Sequence, residues 1–203
     1  MLAGAGRRLL TGRLELAFAA DADRRTYLER QYAGYPFHVC RALYQDRDRP
    51  GLATIYVQSC SGGLYEDDRL DVTLAAAGGA EAHVSTQGPT VVHTMPSGRA
   101  SLSVRIDCES GSYLEYLPDP QILFPHARCR SKIAVRLGGD AVALVSDAFL
   151  SHDPDGQGEV FAAYASEIVI EDAAGEARAV DRLRLDGSAF RGRCPAESRP
   201  ARG

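Results

Sequence analysis

The densest set of side chains able to meet a metal ion lies in one short stretch, Cys60-Ser61-Gly62-Gly63-Leu64-Tyr65-Glu66-Asp67-Asp68-Arg69-Leu70-Asp71. Glu66, Asp67, Asp68 and Asp71 offer the carboxylate oxygens that a hard divalent cation gathers. Carboxylates adjacent in sequence are equally the ordinary content of a solvated acidic turn, and spacing alone does not separate the two readings. His126 and Cys129 stand three residues apart, a pair suited to a borderline ion such as nickel or zinc. With His152 they form the one set on which a metal-dependent enzyme could be argued.

Other catalytic patterns are absent from the sequence. His38, His83, His93, His126 and His152 form neither H-x-H nor H-E-x-x-H. No serine sits in G-x-S-x-G, so Ser61 before the Gly62-Gly63 pair reads as a turn residue. Neither glycine-rich phosphate loop occurs, and the sole lysine, Lys132, follows no such loop. The residues therefore favour a non-catalytic binding or scaffolding role with no cofactor of its own.

The elements that must position these residues read as strands. Apolar side chains recur at every second position: Leu14, Leu16 and Phe18; Phe37 and Val39; Val72 and Leu74; Ala82 and Val84; Leu102, Val104 and Ile106; Ile133, Val135 and Leu137. The β-branched run 53–57 adds another strand, and 141–145 reads as a buried one. A final pair, 164–170 and 180–185, is joined through the turn-forming Asp172-Ala173-Ala174-Gly175. No helical stripe exceeds about three turns.

Three segments share one plan, in which a strand around Val72, Val104 or Val135 leads into a turn at Gly78-Gly79, Gly111 or Gly138-Gly139, and then into a second strand. The three valines recur 32 and 31 residues apart, a spacing found in stacked repeats. The expected fold is all-β, either a two-layer sandwich or a solenoid-like stack of antiparallel hairpins, in one domain over residues 1–187. The Arg- and Pro-rich stretch 188–203 carries no period and is expected to be a disordered tail.

Composition bounds the setting. Of the 203 residues, 45% are hydrophobic and 25% charged, and the net charge is −4. That balance offers no broad positive field for nucleic acid or anionic lipid. Nowhere do about 18 apolar residues run together, and no apolar stretch follows Arg7 and Arg8, so neither a membrane span nor export is expected. Five scattered cysteines without C-x-x-C spacing suit a reducing cytoplasm.

Gly62-Gly63-Leu64 with Asp68-Arg69-Leu70, then Val84-Ser85-Thr86-Gln87 and Thr90-Val91-Val92-His93, resembles in order and spacing the most characteristic block of the UreD (UreH) urease accessory proteins, G-G-[LIV]-x-x-G-D followed by T-T-Q-A-x-T. Leu114-Glu115-Tyr116-Leu117-Pro118 through Phe124, with Ala127-Arg128, is similar to that family's L-E-[WY]-x-P segment and its G-A-R. Gly158-Glu159-Val160-Phe161 resembles its G-E-x-F. The likeness runs over residues 10–187. Asp67 stands where the family has glycine, Gly88-Pro89 replaces Ala-[AS], and family members continue for several further strands, so the resemblance implies the expectation of a C-terminally truncated product.

The resemblance implies a β-rich, non-enzymatic assembly factor that acts with UreF-type and UreG-type partners on apo-urease and bears nickel only in transit. A polar passage inside the β fold is implied for that ion, because weak oxygen ligation at several stations permits release. Asp68, Glu115 and Glu159 are the nickel-transit candidates by motif position, with Thr86 and Gln87 beside them; Gly62, Gly63, Thr90 and Pro118 complete the motif set. The competing expectations are a carbohydrate-binding β-sandwich using Tyr113 and Tyr116, against which the absence of tryptophan counts, and a degraded, non-functional fragment.

Overall fold

The computed structural model describes residues 10–191. An irregular opening segment contains β1 (Thr11–Ala20), β2 (Thr26–Ala33), β3 (Phe37–Val39) and β4 (Ala53–Ser59). Three similar coils follow: β5 (Arg69–Ala76), β6 (Glu81–Thr86) and β7 (Thr90–Val92); β8 (Ala100–Cys108), β9 (Tyr113–Tyr116) and β10 (Gln121–Leu123); β11 (Arg128–Leu137), β12 (Val142–Val145) and β13 (Phe149–Ser151). A hairpin of β14 (Ala163–Asp172) and β15 (Ala177–Asp186) and a short helix α1 (Gly187–Arg191) close the described chain.

Each coil contributes one strand to each of three sheets. The first has the order β15-β14-β11-β8-β5-β1-β2, the second β12-β9-β6-β4-β3 and the third β13-β10-β7. The fold is thus all-β and solenoid-like, but its repeating unit is not the expected antiparallel hairpin. β5 pairs in parallel with β8, and β8 with β11, while β6 runs off into another sheet. The reason is the connection. A strand returns beside itself in parallel only after a long crossover, and here the other two strands of the coil supply it. Alternation reports which residues face inward and is blind to which strand lies next door.

The repeat itself is visible in the register. Val72 lies beside Val104, 32 residues on, but Val104 lies beside Ile133 and not Val135. Both residues face inward, so the sequence pattern slips by one pleat without changing face. The glycine turns stack between the first and second sheets, where Gly79, Gly111 and Gly139 have positive φ and the Gly79 amide donates to the Gly111 carbonyl at 3.3 Å.

The inward rows that fill the space between the first two sheets are apolar. One runs Leu16, Leu74, Ile106, Val135 and Ile170, and the next Leu14, Val72, Val104, Ile133 and Ile168. A second apolar cluster lies against the third sheet, around Leu64, Val92, Leu123, Phe161 and Tyr164. The predicted 53–57 strand and the final hairpin are present. The stretch 141–145 is a strand but not a buried one: Val142 and Leu144 face outward from the edge strand β12 and stay exposed. Part of the expected tail is ordered too, because Ser188 to Arg191 belong to α1 and Phe190 packs against Phe149 and Phe161. The remainder, 192–203, lies outside the described residues.

Candidate functional site

Between the two apolar clusters runs a strip of interior in which polar side chains join Leu64, Leu70, Val72, Leu102, Val104 and Ile133. In the first sheet the inward row Gly12, Leu70, Leu102, Ser131 and Ser166 changes from leucine to serine at the third coil. The third sheet adds Thr90 and Gln121 as direct neighbours. Thr86, Asp119, Ser146 and Asp147 complete the polar wall of a cavity of about 60 Å³. A water needs roughly 10–15 Å³ of such space, so several fit.

Several of these polar groups are paired, as interior polar groups require. The Thr86 hydroxyl donates to the Asp119 carboxylate at 3.1 Å, and the Asp119 amide donates back to the Thr86 oxygen at 2.9 Å. The Cys129 thiol donates to the Gln121 side-chain oxygen Oε1 at 3.0 Å. At the far side Asp147 accepts from the Tyr164 hydroxyl at 3.0 Å and from Ser166. Burial, reinforced by the nearby Asp147 charge, pushes the Cys129 thiol up to about 12 and raises Tyr164 as well. Burial likewise raises Tyr116. The thiol and both phenols therefore stay protonated at neutral pH, and the polar side chains that line the cavity itself offer oxygen and amide groups.

A wider recess of about 360 Å³ adjoins this lumen and shares Leu64, Leu70, Thr86 and Thr90 with it. Gly62, Gly63, Gln87, Gly88 and Pro89 form its outer lip. Gly63 has φ 127°, and a Cβ there would come within 2.5 Å of the Val91 carbonyl. That approach is enforced by the bridge in which the Leu64 amide donates to Val91 and the His93 amide to Leu64. Gly63 is thus required because the loop is laced against β7. Asp67 also has positive φ, 64°, a conformation aspartate tolerates better than most residues.

Sequence expectations and structure diverge over the carboxylates. Asp68 is fully buried behind the loop, accepting from the Leu10 amide at 3.2 Å and the Tyr65 amide at 2.9 Å. Glu115 lies on the outer face of β9, bonded to His83 at 2.6 Å and to Tyr113. Glu159 is exposed, 3.4 Å from His126. These three are not brought together, and neither Glu115 nor Glu159 borders the lumen. The acidic stretch does not converge either, since Glu66 is spent on Ser97 and Gly98 while Asp71 points outward from β5. Among the described residues no group of three or more His, Cys, Asp or Glu is placed to hold a metal, so His126, Cys129 and His152 assemble no metal-enzyme centre. Tyr116 is buried and Tyr113 is covered by the Arg49 guanidinium, 3.9 Å from its ring centre, so they form no sugar platform. Asp119, Gln121, Ser131 and Asp147 went unread in the sequence. The one available signal was an inward-facing polar residue, such as Ser131, in an otherwise apolar alternation.

The profile of the UreD urease accessory proteins matches residues 10–202. The chain belongs to that family. The match continues past Gly187 into the stretch expected to leave the family pattern. Urease accessory protein UreD 1 of Pseudomonas syringae pv. syringae (strain B728a) is 39% identical over 183 residues, covering 90% of this chain and 64% of the relative. UreD 1 of Pseudomonas syringae pv. tomato (strain ATCC BAA-871 / DC3000) is 40% identical with the same coverage. UreD 1 of Methylorubrum extorquens (strain PA1) is 40% identical over 171 residues, 84% of this chain and 58% of the relative. The chain therefore spans somewhat under two thirds of the length of these relatives. Of the family-motif positions, Gly62, Gly63, Thr86, Gln87 and Thr90 all line the mouth, and Pro118 lines the lumen behind it. No helix among the described residues is long and apolar enough to cross a membrane.

Proposed function

We propose that this chain serves urease maturation as a non-catalytic factor, giving nickel a sheltered path on its way to apo-urease. The observation that carries the reading is convergence: five motif residues from two separate loops, Gly62-Gly63 and Thr86 to Thr90, meet around one mouth, and that mouth adjoins a lumen whose largely apolar wall carries a set of hydroxyl, amide and carboxylate oxygens. Hard, individually weak ligands suit a cargo that must be let go, whereas a closed set of soft donors would retain it. In this reading Thr86 and Thr90 admit the ion, Asp119 and Gln121 receive it, and Asp147 is the inner station. Asp68, Glu115 and Glu159 act elsewhere, since the first is sealed behind the loop and the others sit outside the lumen. Nickel is cargo and not a resident cofactor. The partners would be UreF-type and UreG-type proteins and the apo-urease subunits, in the cytoplasm, with no nucleic acid or membrane involved.

Co-expression of the chain with the cognate urease subunits and accessory proteins, followed by pull-down and by urease activity across a nickel series, tests this. The expected result is a complex whose urease activation falls at least tenfold when Thr90→Leu fills the mouth, with pull-down unchanged. Full activation by the Thr90→Leu chain would remove the lumen from the path.

A further inference from the structure

Asp68 has the most unusual setting of any carboxylate in the described chain. Its residue exposure is 0%, and a buried carboxylate survives only where donors replace water. Oδ1 accepts from the Leu10 amide, ahead of β1, and Oδ2 from the Tyr65 amide, in the mouth loop. The backbone of the same residue adds a second bond within the loop and one to β8. Its amide donates to the Tyr65 carbonyl at 3.1 Å, and its carbonyl accepts from Ser101 in β8 at 2.9 Å. The Arg69 amide, next along, donates to the Leu10 carbonyl at 2.8 Å. The side chain thus ties the start of β1 to the 62–68 loop, and the backbone of the same residue adds the second coil. It borders neither the lumen nor the mouth, but the trough on the outer side of the loop, beside Leu10 and Tyr65.

We infer that Asp68 is a positioning residue for the mouth: its carboxylate sets where Gly62, Gly63 and Leu64 stand against β7, and it does not ligate the passing ion. The assignment rests on the proposed passage of nickel through this opening. The chemistry of its role is specific. Asparagine in its place can accept only one of the two amides and presents a donor to the other, so one tether must go. Alanine loses both. Gly63→Ala moves the same loop from the opposite side, by collision with the Val91 carbonyl, and leaves the carboxylate intact.

Amide hydrogen exchange on the full chain, run beside the nickel series for Asp68→Asn, Asp68→Ala and Gly63→Ala, tests the assignment. In Asp68→Asn we expect exchange to quicken at least tenfold at Tyr65, Leu64 and His93 and to stay unchanged in β8 and β11. Maximal urease activation should fall several-fold at an unaltered half-activating nickel concentration, and Gly63→Ala should reproduce that split. A raised half-activating concentration with full activation at excess nickel, and no change in exchange, would make Asp68 a ligand and overturn the assignment. Quickened exchange throughout the coils would reduce it to a general core residue and overturn it equally. Should even the unaltered chain activate nothing, the nickel reading fails, while the exchange pattern still decides whether Asp68 holds the loop.

Discussion

Two strips of one interior, offset along the same strands by a few residues, solve the same burial problem in opposite ways. Between the first and second sheets the rows through Leu74 and Val72 are aliphatic from the opening strand to β14. A pleat or two upstream, where the third sheet swings in, Thr86, Thr90, Gln121, Ser131 and Asp147 join Leu64, Leu70 and Leu102. Both strips obey the same inward alternation. The difference lies in what each residue meets. Aliphatic rows need only volume, whereas the carboxylates of the polar strip persist because each meets a hydroxyl from a different coil or strand, as Asp119 meets Thr86 across 33 residues and Asp147 meets Tyr164 and Ser166. Burial therefore specifies the first strip, and pairing specifies the second.

The sharpest break of that comparison is in the aliphatic strip. Leu74→Ala, at a site with 0% exposure, should cost about 2–5 kcal/mol by lost transfer and the cavity left behind, read from the denaturant midpoint at constant slope. A cost under about 1 kcal/mol would show that the row is not close-packed. Next comes Asp147→Ala, which strands the buried Tyr164 hydroxyl and should cost about 1–3 kcal/mol; Asp147→Ala combined with Tyr164→Phe should then cost less than the sum, and strict additivity in that double-mutant cycle would mean the two groups do not interact. Thr86→Val keeps shape and removes the exchange with Asp119, for which we expect about 1 kcal/mol in thermal unfolding.

The smallest effect belongs outside. Glu115 sits on the outer face of the strand that sends Tyr116 inward. Partial burial works to raise its carboxyl, but the hydrogen bonds from Tyr113 and His83 outweigh it and hold the group below its ordinary 4.5. A lowered native value adds stability that is present above the unfolded value and lost as pH falls through the native one. Wild type should accordingly lose stability in acid more steeply than Glu115→Gln, by within about 1 kcal/mol, the usual scale of such outer pairs. Parallel pH profiles for the two chains would show that the outer network contributes nothing.

Much of this was readable from the chain alone. Alternation picked out the inward residues of β1, β5, β6, β8 and β11, and the spacing of Val72 and Val104 matched their register. The strands of the third sheet escaped notice because three residues, as in Thr90–Val92 and Gln121–Leu123, are too few to display a period. Val142 and Leu144 misled for the converse reason: an apolar run signals burial only if something covers it, and β12 is the edge of its sheet. The mouth was half legible, since the motif residues were singled out, but their convergence was not.

The sequence by itself determined the side of each strand that faces inward, the all-β class, the length of the coil and, through Gly62, Gly63 and the threonine-bearing block, the family. These are properties of neighbouring residues, and the two-residue pleat and the backbone freedom of glycine express them locally. Only the tertiary structure decided that the coils stack in parallel across three sheets, that Asp119 and Asp147 face the lumen while Glu115 and Glu159 do not, and that Asp68 is spent on tethering a loop. Each of those depends on which distant strand supplies the opposing wall or the donor, and hydrogen bonding and burial between residues 30 or more apart leave no mark on the local pattern.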